Sequence, residues 1–180
     1  MTRDRWQEDP TAVREAERFF KFVGQYVISF QWLEGKIDDI FLLARGHNNR
    51  KQTFAWLAQQ TNEKKIDAFR DAIFDGAHFA PVLVDGWEAR VYSVTDRLHA
   101  ERRRRNGVLH AQFLFDFLAI GAPIMRTHVR RKGGSVAFDS EDLSPERCHQ
   151  IISEVALLAF DLNMICVQLR HACRAPASAN

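Results

Sequence analysis

The chain has 180 residues, 46% hydrophobic and 27% charged, with a formal net charge of +2; this composition excludes a largely disordered chain and predicts one globular domain over residues 1–180, with a core at about 11–173 and flexible termini. Three cysteines, Cys148, Cys166 and Cys173, have neither the even count of a disulfide framework nor the paired spacing of a zinc site, so no metal and no cofactor is expected. The polar start MTRDRWQEDP, with no signal-peptide run and no segment of membrane-spanning length, predicts a cytoplasmic protein without membrane attachment.

From Thr11 to Ala44 apolar residues recur at three- and four-residue steps through Phe19, Val23, Tyr26, Phe30, Leu33, Ile37 and Phe41, which predicts a long amphipathic helix. Ile28 and Trp32, one turn apart, fall on roughly its opposite side. That second face must be covered, either within the same core or by a partner subunit. GHNNR (46–50) breaks this helix, and Phe54 and Leu57 give a short second one. Thr61-Asn62 caps a third, with Ile66, Phe69 and Ile73 on its apolar face and Asp75-Gly76 at its end. Pro81 suits the first turn of a fourth, whose stripe is Val84, Trp87, Val91, Val94 and Leu98.

Beyond Asn106-Gly107 the helical signal weakens. Residues 124–138 read as a β-hairpin turning at Lys132-Gly133-Gly134, and LSPER (143–147) as a helix start with Ser144 as cap and Pro145 in the first turn. The last helix carries Ile151, Val155, Leu158, Leu162, Ile165 and Leu169 on one face, followed by a frayed RAPASAN tail. The expected fold is therefore all-α, with a short β-hairpin inserted before the last helix.

The run Arg102 to Arg105 is not uniform. At about 100° per residue, Arg105 returns close to the fourth helix's apolar stripe, Arg102 sits at its edge one turn earlier, and Arg103 and Arg104 point toward solvent. An inward guanidinium requires an anion. Glu34, on the main apolar face of the first helix, can pair with Arg102 or Arg105, or else reach solvent at the edge of that face. If the helix kinks at Asn106-Gly107 and resumes, His110 lies a little over one turn beyond Arg105, and both can address one phosphate.

Arg105-Asn106-Gly107-Val108-Leu109-His110, an arginine and a histidine separated by four residues of which the first is an asparagine, at the end of a long helix, resembles the motif of the HEPN superfamily (higher eukaryotes and prokaryotes nucleotide-binding). The Leu33-Glu34 step of the first helix, the basic hairpin and the closing amphipathic helix are similar to bacterial members, over most of residues 11–173. The resemblance implies a helical bundle, commonly a homodimer that joins two motifs in one cleft. It also implies a metal-independent endoribonuclease, such as a toxin with an antitoxin partner or a defence or RNA-processing component; the alternative is a non-catalytic dimeric module that binds nucleotide, RNA or a partner protein. In the nuclease reading His110 is the general base or acid, Arg105 clamps the phosphate and Asn106 orients, with Glu34 and Arg102 in support. Arg126, Arg130, Arg131 and Lys132 of the hairpin would hold flanking RNA backbone.

Overall fold

A computed structural model of the chain describes residues 5–75, 79–132 and 135–173; side-chain placements are described for these except His47, residues 128–132 and residues 135–139. In chain order the described residues form α1 (Pro10–Arg45), α2 (Arg50–Leu57), α3 (Asn62–Asp67), α4 (Phe69–Phe74), α5 (Trp87–Leu109), β1 (Gln112–Leu114), β2 (Ile124–Lys132), β3 (Ser135–Leu143) and α6 (Pro145–Ala172), with short 3-10 helices at Arg5–Glu8, His47–Asn49 and Phe115–Ile120. The protein is mostly helical. It is not purely so, because the expected hairpin is present as β2 and β3 and gains a third strand, β1, giving an antiparallel sheet in the order β1-β2-β3. The turn placed at Gly133-Gly134 lies outside the described residues. The chain divides into two compact units, residues 1–28 with 103–155, and residues 29–102 with 156–180.

In the first unit, α1 starts where its sequence says it should. The Asp9 carboxylate accepts the Thr11 N–H at 2.8 Å and Pro10 occupies the first helical position. The buried side of this part of α1 (Ala12, Ala16, Phe19, Phe22, Tyr26) meets an aromatic cluster. Phe19 lies 4.9 Å from Phe113 and 5.8 Å from Phe115, and Trp6 stacks on Phe115 at 5.3 Å. The phenylalanine-rich stretch after His110 thus supplies core. Direct cross-strand partners share a face of a sheet, so Phe113, Arg126 and Glu141 line up on one side, beside the Ile124–Leu143 pair. Ile124, Arg126 and Leu143 are buried, while Gln112, Leu114 and Asp142 are exposed, so this side is the inner one. α6 begins with the expected cap, Ser144 Oγ accepting the Arg147 N–H at 3.2 Å. Glu146 is held below its ordinary pKa by its own backbone N–H and the Ser144 hydroxyl.

In the second unit the predicted third helix is two, α3 and α4, separated at Ala68. Thr61 still caps the first of them, accepting the Lys64 N–H at 3.3 Å, and Ile66, Phe69 and Ile73 are buried as their spacing requires. The fourth predicted helix starts later than Pro81 suggests. Gly86 takes φ +71°, a left-handed conformation open to glycine, and regular helix begins only at Trp87; Leu83 and Val84 are left exposed. The six predicted apolar positions of the last helix are all buried. By length and composition α6 could cross a membrane, against the expectation that no segment could. Asp161 in its middle is ion-paired with Arg97.

On the second apolar face of α1, Ile28 is 68% and Trp32 43% exposed among the described residues. Phe19→Ala should destabilise the protein by about 3–5 kcal/mol, the range for emptying a buried aromatic site, whereas Ile28→Ala should cost less than about 0.5 kcal/mol. Urea denaturation of both variants checks this, and equal effects would contradict the packing described.

Candidate functional site

The motif arginine, asparagine and histidine all belong to the first unit, at the C-terminal end of α5. The expected kink is absent. α5 runs unbroken through Asn106 and Gly107 to Leu109, and the His110 N–H still donates to the Asn106 carbonyl at 3.1 Å, which continues the helical hydrogen-bond pattern by one residue. An unbroken helix separates Arg105 and His110 by about 140° around the axis, whereas Asn106 and His110, four apart, share a face. The arginine bridges the difference with its side chain: its Nη1 donates to the Asn106 Oδ1 at 3.2 Å. Arg105 and Asn106 are half-buried and His110 is exposed. The result is a guanidinium tied to an amide that stands one helical turn below an accessible imidazole.

Why the chain can run straight here is visible at Gly107. A Cβ built on this residue would lie 2.5 Å from Nη1 of Arg126. The backbone of α5 is therefore the floor on which that guanidinium rests, and glycine is needed for the close approach. Arg126, 7% exposed, donates from Nη2 to Glu141 Oε2 at 2.9 Å, and Arg147 Nε donates to the other oxygen, Oε1, at 2.7 Å. Arg126 is thus a buried, carboxylate-paired cation, where its place in the basic hairpin suggests a surface position. The side chains of Arg130, Arg131 and Lys132 lie outside the described residues.

The rest of the arginine run is divided by its partners. Arg103 is exposed, as expected. Arg104, expected in solvent, is half-buried and paired with Glu154 of α6. In the second unit, Arg102 donates to Glu63 at 2.7 Å, so the carboxylate it meets is not Glu34. Glu34 is half-buried on α1. Two acids were missed by sequence reasoning, for different reasons. Glu101, 4% exposed, sits three residues after Leu98, where the stripe's own step places the next buried residue; that signal was readable. Glu154 offered none, because only the fold decides which carboxylate faces Arg104.

Cys148 is inert in this setting, its thiol pushed up to about 11 first by burial and then by the Glu141 charge. Among the described residues no group of three or more His, Cys, Asp or Glu side chains could hold a metal ion. An apolar cavity of about 410 Å³ opens beside Ala12, Phe19, Leu118, Ile124 and Cys148; it shares no lining residue with the motif.

Glu154 carries a pH signature. Partial burial raises its carboxyl, but the Arg104 hydrogen bond and charge, with Gln150 and Arg147, outweigh this and hold it below the ordinary 4.5. A depressed folded value means the pair stabilises above pH 4.5 and its contribution fades as pH falls through the folded value. Glu154→Gln should cost about 0.2–1 kcal/mol near neutral pH, the range for a partly exposed pair, and less near pH 3. Denaturation curves at the two pH values check it, and an equal cost at both would contradict the assignment.

Compared with protein-family models, with curated proteins and with solved structures, the chain matches none.

Proposed function

We propose that the protein is a metal-independent endoribonuclease of HEPN type, with Arg105, Asn106 and His110 as its working residues. The observation that carries the reading is the Arg105 to Asn106 hydrogen bond at 3.2 Å with an exposed His110 one turn further along. Cleaving RNA without a metal requires two things: a group to take the proton from the 2′-hydroxyl as it attacks phosphorus, and a cation to stabilise charge on the phosphorane. Imidazole suits the first, since its ordinary pKa near 6.5 lets it exchange a proton at neutral pH. Guanidinium suits the second, being permanently charged and able to grip two phosphate oxygens.

Asn106 has a defined part in this scheme. Its carbonyl oxygen is taken by Arg105, which leaves its NH₂ donors for a substrate oxygen and fixes the guanidinium at the same time. The phosphate then binds between Arg105 and the end of α5, within reach of His110. The RNA's own hydroxyl is the nucleophile, so the products carry a 2′,3′-cyclic phosphate and a 5′-hydroxyl. Two such motifs meet in a homodimer, for which the exposed Ile28 and Trp32 supply an apolar contact.

Purified protein should cut single-stranded RNA in the presence of EDTA. His110→Ala should lower the rate by about 100-fold or more, the usual weight of a positioned proton-transfer group, with the far-ultraviolet circular dichroism unchanged. Wild type and variant equally inert on total cellular RNA would favour the non-catalytic binding module instead.

A further inference from the structure

Arg126 is an unusual residue to find in the interior: a permanent cation, 7% exposed, on the inner face of a small sheet. Its position follows from register. Arg126 of β2 stands directly opposite Phe113 of β1 on one side and Glu141 of β3 on the other. Phe113 comes three residues after His110, so the short β1 strand returns the chain from the motif to the strand that carries Arg126. The guanidinium then lies on the backbone of Gly107, inside the motif, while Glu141 grips its Nη2. Glu141 is in turn fixed by Arg147 in the first turn of α6. One chain of contacts runs from α5 through β2 and β3 to α6.

We propose that Arg126 is a positioning residue for the motif: held by Glu141, it clamps the last turn of α5 at Gly107 and so sets where Asn106 and His110 stand. It touches neither substrate nor reacting atoms in this scheme. The Gly107 backbone meets the end of a side chain that is buried and held by Glu141, so an added methyl group must displace either that guanidinium, releasing the clamp, or the helix turn itself.

That gives a test whose sign separates the clamp from ordinary helix propensity. Alanine is the better helix former, so if nothing rested on residue 107, Gly107→Ala would tighten the last turn of α5 and slow exchange of the His110 amide, whose hydrogen bond to the Asn106 carbonyl closes that turn. The clamp predicts the reverse. In Gly107→Ala, and in Arg126→Lys, which keeps the charge but loses the fork that reaches both Gly107 and Glu141, the His110 amide should exchange about tenfold faster or more by NMR. The amides from Val94 to Leu98 should keep their wild-type rates, because the opening is local. Slower exchange in Gly107→Ala, unchanged exchange in Arg126→Lys, or equal acceleration throughout α5 would overturn the proposal.

The kinetic consequence rests on the ribonuclease reading and is measured separately. With RNA as substrate, both variants should lose up to about 100-fold in kcat, the scale of a misplacement of about 1 Å, with KM within about twofold of wild type. Wild-type kcat in either variant, at a protein that does cleave RNA, would overturn the positioning role. A wild-type protein that cuts no RNA but shows the local acceleration at His110 would retain the clamp and refute the ribonuclease.

Discussion

The arrangement at the end of α5 depends on one ion pair, the buried Arg126 with the half-buried Glu141, lying against a glycine backbone. Leaving the Arg126 charge alone in that interior would cost about 3–5 kcal/mol, so the two strands that supply the pair have a strong preference for the register that joins them. A slip of one residue would turn Arg126 to the outer face and bring an outward side chain into its place. The hydrophobic partners agree with this register, since Phe113 meets Phe19 and Ile124 pairs with Leu143 on the same side. Apolar packing and electrostatics therefore specify a single pairing of β1, β2 and β3.

That pairing changes how the basic character of the chain is understood. Of the arginines clustered around the motif and the hairpin, Arg102, Arg104, Arg126 and Arg147 each have a carboxylate partner: Glu63, Glu154, and for the last two the shared Glu141. These cations are structural links between elements. Arg105 donates to the side-chain oxygen of Asn106, its neighbour on the same helix.

The helices were legible because their signals are local. The three- and four-residue steps of α1 and α6, the Ser144 cap and Pro145 beside it each predict a feature that the structure contains. The hairpin was legible from its paired glycines and flanking β-branched residues. What failed depended on distant partners or on a backbone conformation. Trp87 begins α5 because Gly86 turns left-handed, which residue type permits but does not demand. β1 was hidden in a phenylalanine-rich stretch with no alternation strong enough to reveal it, and it is a strand because β2 is there to pair with. In the candidate site, helical spacing predicts Arg105 on a different side of the helix from Arg103, and Arg105 is half-buried where Arg103 is exposed. α5 runs unbroken through Gly107, and the guanidinium laid on that glycine from a strand 19 residues later in the chain cannot be read from helical geometry.

The most direct measurement of the central claim is the chemistry of the cut ends. Phosphorus NMR of a defined single-stranded RNA incubated with the protein and EDTA should show a cyclic phosphodiester resonance growing with time, because the nucleophile is the neighbouring 2′-hydroxyl. A 3′-hydroxyl with a 5′-phosphate would mean that water had attacked instead, and would contradict the roles given to His110 and Arg105.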